Sequence, residues 1–487
     1  MKKLFVILLV MFLVGTQTAE ARKLNAFISY CTFYSPQDGP YIETYISILG
    51  SSANFVLNDN GAYQAKLEIL ILFKQNDSIK DFRKYNLHSP ELTDTSKTNI
   101  IFHDQQRIPL SNGEYEMEIK IRDLNSDAHG YIVNEPITIE FAEDDIQVSG
   151  IELVDTYSEA VEPSIITKSG YDLVPLPLNY YPPSVDKLVF YTEIYNASKT
   201  FGEDGKYLLR IYVEELQTSK KIDALIFQKR MDAREVEPVL HEFDISKLPS
   251  GDYNLVVEVK DRDNKLVGMG QLFFVRKNEL EASVSLAAVD EVEGSFVKYL
   301  SNRDTLAEYI RSLRPISTPS EKNFVDKNLE TAELMTLQQF FLNFWVERDP
   351  LQPDKAWAEY AAEVAKVNYN FGTRIRQGYE TDRGRVYLQY GPPNTITEAE
   401  HEPNAYPYEI WHYYQLMTQT NRKFVFYNPD LVTNDYELLH SDAIGEINDY
   451  NWKSKLQKRN FQTNDLDEQD PDFGWGSNVN DYFNNPH

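Results

Sequence analysis

The chain contains 487 residues, with 75 acidic, 48 basic and one cysteine residue, and this length corresponds to about three domains. The net charge of −27 argues against binding to nucleic acid or anionic lipid, because both need clustered cations. The single cysteine excludes an intrachain disulfide and any cysteine-rich metal site.

The first 21 residues have the organisation of an export signal. Two lysines precede an unbroken apolar run at 4–14, which is too short to span a bilayer as a helix. A small-x-small cleavage site follows at 19–21. Removal of the signal peptide 1–21 leaves 46 basic and 74 acidic residues, a net charge of −28. We therefore expect an exported chain that begins at Arg22, with an uncleaved membrane anchor as the alternative.

The first half of the chain contains an internal repeat. The segment 110–123 recurs at 248–261, with the same Leu, Gly, Tyr and Asp positions. A shorter block at 61–69 matches 205–213, in which Leu67 aligns with Ile211. Two blocks in the same order favour a duplicated module over chance.

The repeated segments have the pattern of β-strands. Apolar residues alternate with charged ones over 115–122, which is typical of a half-buried antiparallel strand. Further strands are predicted at 41–49, 67–73, 137–141, 188–195, 208–213 and 271–275. Short strands separated by Gly, Pro, Asn and Asp turns predict a mainly β fold with two tandem β-sandwich, Ig-like domains. We place these domains at 22–146 and 147–277.

Helical spacing replaces the strand pattern in the second half. Apolar residues recur at helical intervals over 296–310 and 332–346, and Asp354 can cap a third helix. Strands are predicted after these helices at 385–390, 408–413, 423–427 and 436–440. Helices followed by an antiparallel meander indicate an α+β domain, which we place with its helical segment at 278–455.

The last segment, 456–487, is acidic and poor in apolar residues, and it is predicted to be a disordered tail. Its aspartate-rich stretch at 465–472 has the oxygen density of a calcium site but lacks the Gly and the terminal Glu of an EF-hand loop. We therefore predict no metal site there.

Two blocks of the α+β domain carry a signature. The first block contains Trp345, Arg348, Asp349 and Pro350, and the second contains Gly378, Tyr379, Thr381, Asp382, Arg383 and Gly384, followed by Gly391 and Pro392. In this order the blocks resemble the GWxTD domain family, in which the position of Tyr379 is usually Trp. The resemblance covers roughly 285–455. It implies an exported protein of the kind frequent in Bacteroidetes, often with β domains ahead of this one, and it implies no established reaction.

An enzyme hypothesis rests on Glu380, Asp382, His412 and His440. A general acid–base pair needs two titratable groups with separated pKa values in a dry cleft. The sequence contains no Gly-x-Ser-x-Gly, no His-Glu-x-x-His and no phosphate loop. We therefore assign no catalytic residue, no cofactor and no metal. An exported hydrolase or glycan-active protein that uses these carboxylates is the alternative.

Aromatic residues support a glycan-binding version of that alternative. The chain has 32 Tyr and 26 Phe residues, whose rings can stack on sugars. Aromatics that stack on sugars should form an exposed patch, whereas core aromatics should be buried. The exposure of Tyr379, Trp411 and Tyr413 separates these two interpretations.

A structural role explains more of the signature. Gly378 and Gly384 permit backbone conformations closed to other residues, and Thr381 and Asp382 suit a cap or a braced turn. We therefore predict a rigid connection between a helix and a strand at this point.

Four arginines lie close together in this acidic chain, namely Arg374, Arg376, Arg383 and Arg385. Guanidinium groups clamp carboxylates and phosphates with two parallel hydrogen bonds. These arginines either contact an anion of a partner or ligand, or pair with the domain's own carboxylates.

Together these features favour an exported, non-catalytic scaffold or interaction protein. We expect a peripheral subunit of a cell-envelope assembly, located in the periplasm or at the outer-membrane surface. The expected partners are other envelope proteins, foremost outer-membrane proteins. Neither nucleic acid nor a direct membrane span is expected.

The first testable prediction concerns processing. Edman degradation or intact-mass measurement of protein recovered from its native cells should show a mature N-terminus at Arg22. A full-length chain retained in the cytoplasm would contradict export.

Overall fold

The computed structural model of the chain describes residues 24–76, 78–126, 130–176, 178–278, 284–402, 405–416, 419–443, 445–449, 452–457 and 478–484. The predicted signal peptide and cleavage site lie outside the described residues, and so do residues 458–477 of the predicted tail, which include the aspartate-rich stretch.

The first half of the chain consists almost entirely of strands. They are β1 Ala26–Ser35, β2 Gly39–Leu49, β3 Val56–Leu57, β4 Tyr63–Gln64, β5 Lys66–Gln75, β6 Ser78–His88, β7 Ile101–Pro109, β8 Gly113–Asp123, β9 Tyr131–Ile139, β10 Gln147–Val148, β11 Glu152–Glu159, β12 Thr167–Lys168, β13 Tyr171–Pro175, β14 Tyr180–Tyr181, β15 Lys187–Tyr195, β16 Lys206–Glu215, β17 Lys221–Asp232, β18 Val236–Asp244, β19 Gly251–Lys260 and β20 Leu266–Arg276. One short helix, α1 Ala197–Phe201, lies among them.

The second half begins with helices and continues into a sheet. The helices are α2 Val289–Glu293, α3 Arg303–Ser312, α4 Pro319–Asn328, α5 Leu334–Arg348, α6 Pro353–Phe371 and α7 Asp382–Tyr390. The strands are β21 Thr395–Ala399, β22 Tyr408–Leu416, β23 Gln419–Tyr427 and β24 Glu437–Ser441, followed by α8 Trp452–Leu456 and α9 Val479–Asn484. Within the described ranges, no helix combines the length and the apolar composition that a membrane span requires.

The sheet orders confirm the duplicated β-sandwich fold. In the first module the sheets have the orders β1-β2-β7 and β6-β5-β8-β9. In the second module β11-β15-β18 repeats the first order, and β17-β16-β19-β20 repeats the second. The chain is therefore mainly β, with two tandem Ig-like sandwiches followed by an α+β part. The boundaries placed at 22–146, 147–277 and 278–455 stay predictions.

Strand registers correct the alignment of the shorter repeat. Ile71 pairs with Ile119 in the first module, and Ile211 pairs with Val257 in the second. Since Val257 corresponds to Ile119 in the longer repeat, Ile211 corresponds to Ile71, and the predicted alignment of Leu67 with Ile211 was wrong. The short strand β4 precedes β5 in the first module, so matching the two Gly-x-Tyr turns shifted the alignment.

The chain divides into two compact units. Among the described residues, the first contains 24–28, 45–105 and 114–137, and the second contains 29–44, 106–113 and those from 138 onward. In the first unit, alternate residues of β5 and β8 are fully buried, as their period of two requires: Leu67, Ile69, Ile71, Phe73, Met117, Ile119 and Ile121. The predicted strand pattern of the repeat is thereby confirmed.

The second unit contains several apolar cores. One lies between the sheets of the second sandwich and includes Phe190, Ile211 and Val257. Another joins α3, α5 and α6 around Phe341 and Trp345. These helices match the expected apolar faces, although α4 was not predicted.

The sheet of the α+β part has the order β21-β22-β23-β24 and is covered on both faces. On one face Trp411 and Phe424 pack with Val386 of α7. On the other face Ile410 and Val425 pack with residues of α8 and α9. The strands predicted at 408–413, 423–427 and 436–440 are confirmed.

Residues 385–390 are a helix, so the predicted strand there was wrong. Val386 and Tyr390 of α7 pack toward the sheet, whereas Leu388 packs toward α6 with Val367. A helix buried on two sides places apolar residues at alternate positions and so imitates the strand pattern.

Residues 478–484 also differ from the predicted disordered tail, because they include α9. Val479 is buried, and the ring of Phe483 lies 5.1 Å from that of Trp452 and 5.6 Å from that of His440. Val479 and Phe483 therefore pack this short helix against the second face of the sheet.

Candidate functional site

The first signature block joins α5 to α4. The Arg348 guanidinium donates to both carboxylate oxygens of Glu321, each at 2.9 Å, and lies 3.4 Å from the centre of the Phe344 ring. Glu321 also accepts a hydrogen bond from the backbone N–H of Thr318, which caps α4. The arginine thus ties the end of one helix to the start of another.

Asp349 and Pro350 make the turn from α5 into α6. The Asp349 carboxylate accepts backbone hydrogen bonds from Leu351 at 3.0 Å and Gln352 at 2.9 Å. Asp349 itself is extended, as the residue before a proline usually is, and α5 therefore ends at Arg348.

Trp345 belongs to the helical core. Its side chain is 3% exposed, and its ring packs 5.7 Å from Trp357 and 5.6 Å from Tyr360. Its indole N–H has no hydrogen-bond partner within the described part of the chain. The residue contributes apolar contact area to the junction of α5 and α6.

The two glycines of the second block let three backbone segments meet. A Cβ atom on Gly378 would collide with the backbone of Val367 in α6, and one on Gly384 would collide with the carbonyl oxygen of Gly378. Only glycine fits where the backbones of α6, the turn 378–380 and α7 approach so closely.

Thr381 and Asp382 begin α7. The Thr381 hydroxyl accepts from the backbone N–H of Gly384 at 3.1 Å and donates to the carbonyl of Gly378 at 2.7 Å. Asp382 accepts a hydrogen bond from the backbone N–H of Leu438 in β24 at 2.8 Å. The block is therefore a connection between two helices that is braced against the sheet, and the predicted connection to a strand is corrected in this respect.

Tyr379 occupies the aromatic position of the signature and is 6% exposed. Its hydroxyl donates to a Glu308 oxygen at 2.8 Å, and its backbone N–H donates to Asn368 at 3.2 Å. Burial, together with the bond to Glu308, raises the pKa of the phenol. The hydroxyl therefore holds α3 against the turn that precedes α7.

Arg383 is the most deeply buried of the four arginines. Its guanidinium donates to Glu409 of β22 and to the carbonyl of Asn434, both at 2.5 Å, and lies 4.2 Å from the centre of the Tyr436 ring. The second Glu409 oxygen accepts from the indole N–H of Trp411 at 2.9 Å. Burial raises the pKa of Glu409, and the arginine opposes that effect.

Two more of the arginines pair with carboxylates of the same domain. Arg385 donates to both oxygens of Glu446 at 2.8 and 2.7 Å, and Arg376 donates to Asp435 at 2.9 Å. Arg374 is exposed, and among the described residues it makes no ion pair. Contact of these arginines with an anion of a partner or ligand therefore stays a prediction. Of the four, Arg374 is the one whose guanidinium is not already paired with a carboxylate among the described residues.

Gly391 and Pro392 end α7. Gly391 has a φ of +85°, a conformation that favours glycine, and its carbonyl accepts from the Tyr413 hydroxyl at 2.9 Å. Pro392 follows and cannot continue the helix. The chain then turns into β21.

The four residues of the enzyme hypothesis make separate contacts. Glu380 accepts from the backbone N–H of Gln377, and Asp382 bonds to β24 as described above. His412 bonds to Asn421 at 2.7 Å. The His440 ring stacks on Trp452, and burial lowers the pKa of His440 to about 4. No contact joins any two of the four within the described ranges, so the chain does not bring them together as an acid–base pair.

The three aromatic residues whose exposure separates a glycan-binding surface from an apolar core are buried. Tyr379, Trp411 and Tyr413 are 6%, 0% and 2% exposed, respectively. They are core residues and form no exposed stacking surface.

The residues that sequence reasoning missed are mostly the carboxylates opposite the arginines: Glu321, Glu409, Asp435 and Glu446. The alternation of Glu409 with apolar neighbours in β22 was the only signal that one of them is buried in a sheet. The arrangement fixes the positions of α4–α7 relative to the sheet, through ion pairs and hydrogen bonds made by Arg348, Arg383 and Asp382.

The second testable prediction concerns Asp382. Asp382→Ala leaves the buried N–H of Leu438 without an acceptor and should lower the free energy of unfolding by about 1–3 kcal/mol. Asp382→Asn keeps an acceptor oxygen and should cost less. Chemical denaturation of the full chain measures both.

Asp354→Ala is the matched control for that experiment. Asp354 also lies in the first turn of a helix, but it is exposed and braces no strand. Its replacement should cost at most about 1 kcal/mol, the helix-dipole contribution. An unchanged melting temperature of Asp382→Ala, combined with loss of partner or ligand binding, would contradict the bracing role.

Comparison with known proteins identifies the C-terminal part of the chain. The family model described as the GWxTD domain matches residues 272–457. No curated protein matches the chain.

Several solved structures are similar to this chain at low identity. Fibronectin(III)-like modules of Clostridium thermocellum CbhA share 10% identity over 50% of this chain and 90% of theirs, with a TM-score of 0.14. A glycosyl hydrolase family 2 member from Bacteroides cellulosilyticus shares 11% identity over 48% of this chain and 28% of its own, with a TM-score of 0.17. A calcium-binding mutant of Bacteroides uniformis β-glucuronidase 2 shares 8% identity over 50% of this chain and 28% of its own, also with a TM-score of 0.17.

These structural likenesses carry no activity over to this chain, because the identities and TM-scores are low. The family match and the geometry of the signature agree on the same segment. Residues 272–457 of this chain are a GWxTD domain, which follows two tandem β-sandwich domains.

Proposed function

We propose that this protein is an exported, non-catalytic scaffold that serves as a peripheral subunit of a cell-envelope assembly. The observation that carries the proposal is the use of the signature side chains. Arg348, Arg383 and Arg385 each bind a carboxylate of the GWxTD domain itself. Because these side chains bind other residues of the same domain, they favour a structural role for the domain, in which a rigid fold presents a surface to partners.

Location in the envelope rests on the sequence. The predicted export signal at 1–21 and the GWxTD domain favour a periplasmic or outer-membrane-associated protein. A mature net charge of −28 repels anionic lipid, so attachment through protein contacts is favoured over binding to bare membrane.

Three exposed side chains at the end of α6 and in the loop after it are of the types that bind partners. Tyr369 at the end of α6 is 90% exposed, and Ile375 in the following loop is 83% exposed. Arg374 lies between them in sequence and is also exposed. We call these three residues the α6-end surface.

The chemistry of the α6-end surface favours a protein partner. Tyrosine and arginine are enriched at the energetic centres of interfaces, and an exposed aliphatic side chain gains free energy when a partner covers it. A partner carboxylate beside Arg374 would complete a charge pair. Envelope proteins such as outer-membrane proteins are the partners that the proposed location supplies.

Crosslinking in native cells, followed by affinity purification and mass spectrometry, is the third test. The wild-type chain should be recovered with one or more outer-membrane proteins. The double variant Tyr369→Ser/Ile375→Ser should recover about tenfold less of the same partners, because two side chains of the contact are lost. Its melting temperature should equal that of the wild type, since both residues are exposed.

Leu351→Ser is the matched control. Leu351 is also 90% exposed, but it lies before the opposite end of α6. This variant should retain the partners. Recovery of the wild type as a free monomer, without any crosslinked partner, would contradict the scaffold proposal and favour the hydrolase alternative.

A further inference from the structure

One lysine of the second compact unit is almost completely buried among charged groups. The Lys168 side chain is 4% exposed, and its Nζ contacts one oxygen of Glu43 and one oxygen of Glu152, whose side chains are 0% and 1% exposed. The Nε of Arg107 lies 2.5 Å from the other oxygen of Glu43. We call these four residues the Lys168 cluster.

Aromatic rings enclose the lysine. Its Nζ lies 4.1 Å from the centre of the Phe33 ring and 5.4 Å from that of the Tyr191 ring, and both residues are buried. The Tyr191 hydroxyl bonds to Ser169, the residue after the lysine, at 3.0 Å. The backbone beside Lys168 is fixed as well, because Ser169 and Gly170 form the tight turn between β12 and β13 with positive φ values.

Burial lowers the cost of converting the Lys168–glutamate ion pair into a neutral amine and a neutral carboxylic acid. An ion pair in a dry interior gains little over the neutral amine and carboxylic acid, because desolvation penalises both charges. Burial alone would lower the pKa of Lys168, but the Glu152 and Glu43 carboxylates outweigh burial and raise it. The proton therefore stays on the lysine at rest, and a reaction at the nitrogen begins with transfer of that proton to a carboxyl oxygen that Nζ contacts.

We propose that Lys168 and Glu152 form an intramolecular amide bond, with Glu43 as the proton carrier. An amine nitrogen in contact with a carboxyl oxygen is within the separation of a near-attack geometry, about 3–3.5 Å from the carboxyl carbon. Such fixed pairs reach effective concentrations of about 10⁵ M or more, which offsets the cost of condensation in water.

The step balances without any added reagent. Proton transfer from the Lys168 ammonium to the Glu152 carboxylate yields an amine and a carboxylic acid. The nitrogen lone pair attacks the Glu152 Cδ, and Glu43 accepts a proton from the attacking nitrogen and delivers it to the departing oxygen. One C–N bond forms, one C–O bond breaks, and two of the three ammonium protons leave with that oxygen as water.

Arg107 distinguishes the roles of the two glutamates. Its guanidinium donates to Glu43 and forms an ion pair with it, and a carboxylate paired in this way is a poor electrophile and a good proton acceptor. Among the charged groups of the cluster, Glu152 is the carboxyl that can take the neutral form while the Arg107–Glu43 pair keeps the total charge balanced. The resulting bond would tie β12 to β11 covalently.

Mass spectrometry of the full-length chain, expressed, purified and denatured, tests the proposal. The protein should be lighter than its sequence mass by one water molecule. Trypsin should fail to cleave after Lys168, and fragmentation should identify a crosslink between Lys168 and Glu152. Glu43→Gln should reduce the crosslinked fraction at least tenfold, because the proton carrier is lost.

Glu242→Gln is the control with the same change of charge. Glu242 pairs with Lys187 at 2.8 Å on the surface of the same unit, and this variant should keep the loss of water. The wild-type measurement is decisive even where a variant fails to fold. A wild-type chain of full sequence mass, or a crosslink from Lys168 to Glu43, would overturn the proposal.

Discussion

The GWxTD domain depends on one buried ion pair, that between Arg383 and Glu409. The arginine lies in the first turn of α7 and the glutamate lies in the middle strand pair of the sheet, and their side chains are 4% and 11% exposed. Removing one partner of such a pair leaves an uncompensated buried charge, which typically costs about 3–5 kcal/mol. The pair therefore requires α7 to lie against the sheet, and the hydrogen bonds to Asn434 and from Trp411 fix its geometry.

The other signature residues follow from the position of α7. Since this helix is held against the sheet on one side, it must also pass close to α6 on the other, and Gly378 and Gly384 allow that approach. The Thr381 hydroxyl accepts a hydrogen bond from a backbone N–H in the first turn of α7, and the Asp382 carboxylate accepts one from a backbone N–H of β24. In this account the signature residues join α6, α7 and the sheet, because Thr381, Asp382 and Arg383 all bond to neighbouring parts of the same domain.

Much of the fold could be predicted from the sequence, because period and turn residues report local structure. The duplicated strands, α5, α6 and the last three strands of the sheet have clear patterns. The helix α7 was missed because it is buried on two sides, so that its apolar residues alternate. The partners Glu409 and Glu446, and the Lys168 cluster, join residues that are far apart in the chain, and no local pattern specifies such contacts.

A double-mutant cycle on Arg383 and Glu409 tests the central claim most directly. The free energy of unfolding should be measured for the wild type, Arg383→Met, Glu409→Gln and the double variant by chemical denaturation. Each single variant should lose about 3–5 kcal/mol, and the double variant should lose clearly less than their sum, because the second change removes the buried charge left by the first. Single losses below about 0.5 kcal/mol that simply add would contradict the account, because the pair would then contribute little to holding α7 against the sheet.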